Sequence, residues 1–218
     1  MHHTMNTKKG SLEVICGSMF SGKTEDLMRR LRRAEFAQKK VVTIKPRIDN
    51  RKSITCIVSH DGNQREAALF DHDHTLFDSI LSLCSDPNIS VVGIDEVQFF
   101  SIAFITPLLQ LVLDGKRVIA AGLDLDFKGE PFVSTALLLA HADYVTKHKA
   151  ICVICGADAH HTQRLIDGQP ARYQDPVILI GAKELYQPRC RSCFVINKNN
   201  PETAPCFAES VKESAWQK

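Results

Sequence analysis

Neither sign of charge dominates this chain: 27 Lys and Arg stand against 25 Asp and Glu, a formal net charge of +2. No large positive field is available to hold a nucleic-acid backbone, and no stripe of interleaved basic and aromatic residues runs along the sequence. Aromatics are scarce, at 7%, with a single Trp. No apolar run approaches the roughly 20 residues of a membrane span. The opening Met1-His2-His3-Thr4-Met5 lacks the apolar centre of a signal peptide. No internal repeat and no low-complexity block occurs, which excludes a stacked-repeat architecture. These absences point to a cytoplasmic protein with no nucleic-acid partner and no membrane partner.

What is present is a chain of 218 residues, enough for one α/β domain with a small appendage. There are eight cysteines, and in the reducing cytosol they are not a disulfide framework. Cys16, Cys56, Cys84 and Cys206 stand singly. Cys16 and Cys84 lie in or beside apolar segments and read as small buried hydrophobes. The other four come in pairs.

The periodicity alternates between strand and helix. Leu12 to Cys16, 41–44, 89–94 and 117–123 are short apolar runs of the buried parallel-strand type. Residues 53–59 alternate and are β-branched, which suits half of a hairpin. Helices are expected over 23–38, 75–84, 102–113 and 134–141. Strands alternating with helices imply a mostly parallel sheet covered on both faces. From Lys149 the pattern breaks into short segments with paired cysteines and scattered Gly and Pro. The chain therefore divides into a loose N-terminus (1–10), an α/β core (11–148), a small second unit (149–196) and a polar, disordered tail (197–218).

The strongest local signal is Gly17-Ser18-Met19-Phe20-Ser21-Gly22-Lys23-Thr24, a full phosphate-binding loop between a strand and a helix. Glycines let successive backbone N–H groups turn inward around a phosphate, and the following helix aims its positive end there. Lys23 reaches the outer phosphates as a point charge, and Thr24 offers its hydroxyl to Mg²⁺. This pattern binds a nucleoside triphosphate.

Asp95-Glu96 ends the apolar strand 89–94 on the sheet edge where ligands bind. Asp95 is placed to hold Mg²⁺, and Glu96 to accept a proton from the attacking nucleophile. The pair does not distinguish water as nucleophile, an ATPase, from a substrate hydroxyl, a kinase. Cys152 with Cys155 and Cys190 with Cys193 form two Cys-x-x-Cys knuckles, the spacing of a closed, structural four-thiolate Zn²⁺ site. The segment between the pairs exceeds the commonest zinc ribbon. A redox role lacks the thioredoxin-like context. His160 and His161, inside this segment, read as surface residues.

Further motifs follow in order. They are Lys45-Pro46 with Asp49 and Arg51, Ser59-His60-Asp61, Asp95-Glu96-Val97-Gln98-Phe99-Phe100, Gly122-Leu123-Asp124 with Phe127 and Phe132, Thr162-Gln163-Arg164, and Ile180-Gly181 with Tyr186. Together they resemble the type II thymidine kinases, the cytosolic form of animals and many bacteria, over Gly10 to Phe194. The resemblance implies a RecA-like P-loop core with a small zinc-binding lasso domain that closes over the nucleoside. It implies transfer of the γ-phosphate of ATP to the 5′-hydroxyl of thymidine, with Glu96 as the base and Mg²⁺ on Thr24 and Asp95. ATP contacts extend along Gly17 to Thr24 (including Ser18, Phe20, Ser21 and Gly22) and along Asp95 to Gln98 (including Val97). Arg51 and Arg164 would add positive charge near the phosphates. The base pocket would take its walls from Met19, Phe99, Leu123, Phe127, Phe132 and Tyr186. Main-chain groups of Val177, Ile178, Leu179 and Ile180 would read the thymine edge. Feedback by thymidine triphosphate and a homotetramer are further family expectations. Val97 stands where relatives often carry a small residue, and Gly62 where some carry a basic one. A zinc-bearing P-loop ATPase, or a nucleotide switch acting on nucleic acid, is the alternative.

Overall fold

A computed structural model describes residues 9–47, 56–58, 62, 64–70, 76–177 and 184–197. Residues 1–8 of the proposed loose start (1–10) and the tail beyond Asn197 lie outside the described residues.

Six strands form the main sheet: β1 (Ser11–Gly17), β2 (Lys40–Pro46), β5 (Ala68–Phe70), β6 (Ile89–Ile94), β7 (Arg117–Gly122) and β8 (Tyr144–His148). Their order is β5-β2-β6-β7-β1-β8, and every pairing is parallel. Between β2 and β5, β3 (Cys56–Val58) and β4 (Gln64–Glu66) pair antiparallel, so the alternating segment is indeed half of a hairpin. The central strands are apolar on both sides because both faces are covered. Leu12, Val14, Ile94, Val118 and Ala120 face α2 (Leu76–Leu83), α3 (Ile105–Leu113) and α4 (Val133–His141). Ile15, Val91, Ile119 and Ala121 face Leu27, Met28 and Leu31 of α1 (Lys23–Phe36). Cys16 and Cys84 are buried as expected, and burial pushes each thiol up to about 11.

Three local differences from the sequence reading have physical causes. Ile102–Phe104 forms a 3₁₀ turn before α3, and Phe104 stacks on Phe100 there at 3.9 Å between ring centroids. The edge strand β8 carries Thr146, Lys147 and His148, so it lacks an apolar run. The three-residue β5 is too short to show a period.

Beyond β8 the chain builds a second, antiparallel unit. β9 (Ala150–Ile151) pairs with β10 (Asp158–Ala159), and β11 (His161–Ile166) lies between β12 (Gln169–Pro170) and β13 (Glu184–Arg189). The Gln163 amide joins the last segment to β11: it accepts from Val195 N–H at 2.9 Å and donates to Val195 C=O at 3.1 Å. Asn197 is ordered one residue past the expected boundary, its carbonyl accepting from Tyr173 N–H at 3.0 Å. No helix among the described residues is long and apolar enough to cross a membrane.

Candidate active site

The carboxyl ends of β1, β6 and β7 converge on one edge of the sheet, and each carries part of the site. After β1 the chain turns through Gly17 (φ 139°) and Gly22 (φ 81°) into α1. A Cβ on Gly17 would lie 2.3 Å from the His148 carbonyl oxygen, so glycine is required there both by conformation and by space. Lys23 donates to the Ser18 carbonyl at 2.6 Å, and Ser21 Oγ donates to the same oxygen at 2.8 Å. Burial lowers the Lys23 ammonium below its ordinary pKa, opposed by the charges of Glu96, Asp95 and Asp124. The acidic pair is thus electrostatically coupled to the loop lysine.

Thr24 Oγ1 donates to Asp95 Oδ2 at 3.1 Å, which joins the start of α1 to the end of β6. A hydroxyl and a carboxylate side by side form a hard oxygen donor set of the kind Mg²⁺ prefers. Asp95 Oδ1 also accepts from Glu96 N–H at 3.0 Å. Glu96 itself is left-handed, at φ 53° and ψ 43°, which costs a non-glycine residue about 1–2 kcal/mol. Strain of this kind persists where the surroundings hold it, and it gathers at functional sites. Next comes the 3₁₀ turn Val97–Phe99, which puts Gln98 against both Glu96 and the end of β7.

Several of the expected pocket residues gather on neighbouring elements. Met19 is in the loop, Phe99 ends the acidic turn, and Leu123, Phe127 and Phe132 line the connection from β7 to α4. Tyr186 on β13 pairs in register with Arg164 on β11, whose guanidinium lies 4.9 Å from the Phe127 ring centroid. Val177 is half-buried, whereas Ile178, Leu179 and Ile180 lie outside the described residues, as does Arg51.

Arg164, which the family resemblance puts near the phosphates, stands on β11. It is fully buried and donates from Nη1 to the Pro176 carbonyl at 2.7 Å, securing the segment that leads toward Val177. His161 departs from its expected place at the surface: it is buried and stacked on Phe194, with ring centroids 4.5 Å apart. Burial pushes its pKa down, helped by the positive charge of Arg191.

Three contacts in this region carry no short-range signature. Thr162 Oγ1 accepts from Met19 N–H at 3.0 Å, Gln98 spans two elements, and the buried Asp124 pairs with Lys147 at 2.7 Å. Each joins residues distant in the chain, Gln98 through the bond it accepts from Leu123 N–H.

In the second unit Cys152, Cys155, Cys190 and Cys193 come together, their sulfurs all within 4.8 Å of one another. Backbone bonds shape both knuckles: Gly156 N–H to Cys152 C=O at 2.9 Å, and Cys193 N–H to Cys190 C=O at 3.2 Å. Four sulfurs so grouped can hold a metal, and neither His160 nor His161 belongs to the cluster.

A family model described as Thymidine kinase matches residues 10–194. The match spans loop, acidic turn and cysteine cluster, and it decides between a kinase and an ATPase where Asp95-Glu96 alone could not. This chain belongs to the thymidine kinase family, whose reaction is ATP-dependent phosphoryl transfer to thymidine.

Proposed function

We propose that Glu96 takes the proton from the 5′-hydroxyl of thymidine as that oxygen attacks the γ-phosphate of ATP held in the loop Gly17–Thr24. The observation that carries this reading is the strained Glu96 next to Asp95, which Thr24 of the loop bonds at 3.1 Å. The loop N–H groups and Lys23 receive the phosphates, Lys23 exchanging its hold on the Ser18 carbonyl for them. Thr24 and Asp95 would hold Mg²⁺, which when bound neutralises charge on the phosphate oxygens. Glu96, Lys23 and the loop together stabilise charge that develops only during transfer.

On this reading the core is RecA-like, with β7 lying between the loop strand β1 and the acidic strand β6. Residues 149–196 form the lasso, tied by Zn²⁺ on Cys152, Cys155, Cys190 and Cys193. A tetrahedral Zn²⁺ with bonds of about 2.3 Å sets its sulfurs about 3.8 Å apart, compatible with the spread of this cluster. Met19, Phe99, Leu123, Phe127, Phe132 and Tyr186 wall the thymine, and the backbone of 177–180 reads its edge. A main-chain donor left unpaired by the wrong base gives strong discrimination. Thymidine triphosphate carries the acceptor's base and a triphosphate together, so it suits feedback inhibition at this site. A homotetramer is supported by apolar side chains that one chain leaves exposed: Val133 and Leu137 on α4, and Tyr144 and Val145 on the edge strand β8.

The test is incubation with Mg-ATP and each deoxynucleoside in turn, reading nucleoside monophosphate. Thymidine monophosphate is expected, and Glu96→Gln should keep ATP affinity while losing about 10²–10⁴-fold in kcat. Wild-type turnover in that variant would remove Glu96 from the role of base.

A further inference from the structure

We infer that Gln98 is a positioning residue that holds the Glu96 carboxylate and ties it to the nucleoside side of the site, an inference that rests on Glu96 being the base. The Gln98 side chain is buried, with 6% of the residue exposed, and both ends of its amide are used. Its oxygen accepts from Leu123 N–H at 3.0 Å, and its nitrogen donates to Glu96 Oε2. The orientation of the amide follows from chemistry, because only the oxygen can accept from a backbone N–H. The NH₂ end therefore faces the carboxylate, as a charge-assisted bond.

Local geometry is arranged around this bridge. Gly122, the last residue of β7, has no Cβ; one placed there would lie 2.6 Å from Gln98 Oε1 and 2.6 Å from Val97 Cγ2. The strand end thus approaches the acidic turn closely enough for a single glutamine to span the gap. The left-handed backbone of Glu96 needs such fixtures, and the bond from Gln98 is one of them. Leu123 is also the residue whose side chain is assigned to the thymine wall. Its backbone position and the direction of the base are consequently linked through one side chain, 25 residues apart in sequence. This role differs from the ATP contact expected of Gln98 from the family resemblance: its amide is engaged by Glu96 and Leu123.

The experiment is a double-mutant cycle on full-length protein, using Gln98→Leu and Gln98→Glu in wild-type and Glu96→Gln backgrounds. Gln98→Glu keeps an acceptor for Leu123 N–H and serves if Gln98→Leu fails to fold. ADP affinity measured by calorimetry reports on the donor side. In the wild-type background, kcat is expected to fall about 10- to 100-fold, with ADP affinity unchanged. In the Glu96→Gln background neither substitution should reduce kcat further, because a positioning residue acts only through the group it positions. Equal fold losses in both backgrounds, or a loss confined to ADP affinity or the KM for ATP, would overturn the inference while leaving Glu96 as the base. Wild-type kcat in Glu96→Gln alone would instead remove the base itself and the inference with it.

Discussion

The backbone N–H of Met19, in the phosphate-binding loop, donates to Thr162 Oγ1 at 3.0 Å, across 143 residues of chain. Ser18 Oγ reaches the Ala159 carbonyl beside it, at 3.4 Å. The loop assigned to the donor nucleotide thus leans on β10 and β11, strands of the cysteine-bearing unit. Replacing Thr162 by Val removes the acceptor and leaves a half-buried N–H unpaired, a cost of about 1–3 kcal/mol. Thr162→Val is expected to weaken ADP binding and lower the thermal midpoint, whereas Thr162→Ser retains both. Calorimetric titration and a melting curve read the two effects; identical behaviour of the Val and Ser variants would show that the contact does not matter.

Metal removal should act on the same junction. Among the described residues, the apolar cluster around the cysteines is small: Ala150, Cys152, Ala159 and Cys190, with Cys193 packed against them. So little apolar surface contributes little stability, and bound metal becomes folding free energy. Purified protein is expected to carry about one zinc per chain, as tetrahedral sulfur ligation implies. Chelation, or Cys190→Ser, should lower the melting temperature and reduce thymidine phosphorylation. Elemental analysis showing no metal in active, stable protein would contradict the assignment.

Gly122→Ala tests the close approach of β7 to the acidic turn. The added methyl would meet Gln98 Oε1 and Val97 Cγ2 at 2.6 Å, and Val97 is fully buried. Overpacking of this sort costs about 1–3 kcal/mol. The variant should lose kcat more than it loses ADP affinity, because the displaced groups adjoin Glu96. A steady-state comparison against wild type checks the split.

Stability at acid pH should depend on Asp26. Burial alone would raise its pKa, but hydrogen bonds from Arg30, His148 and Arg29 outweigh this and hold the carboxyl well below its usual range. A depressed folded value adds stability at pH above the ordinary aspartate value near 4. That contribution is lost as pH falls from there through the depressed folded value. Asp26→Asn should therefore cost about 2 kcal/mol at pH 7, judged from charge-assisted bonds, with the deficit narrowing below about pH 4. Urea unfolding at several pH values measures it, and a deficit that stays constant or grows on acidification would refute the sign.

Much of the core was legible because its cues are local. β1, β6 and β7 are continuous apolar runs that need burial on both faces, and Gly22 followed by Lys23 and Thr24 marks the start of α1. The edge strand β8 is not legible because Lys147 and His148 give it no apolar signal: it forms by pairing with β1, not by its own pattern. The buried place of His161 is hidden for a related reason. Its burial comes from the ring of Phe194, brought back by the knuckle at Cys190 and Cys193.

The chemistry on offer is written in short stretches of sequence: a loop for phosphates, a carboxylate pair after an apolar strand, and four thiols at metal spacing. Each is a short-range pattern, since backbone turns and ligand spacings are set by neighbours a few residues apart. How these parts are held against one another comes from the folded arrangement. It set Thr24 on Asp95, Met19 on Thr162, and Gln98 between Glu96 and Leu123. Such contacts depend on strand order and on which side chain meets which across the sheet edge, and no local rule of composition or period encodes them.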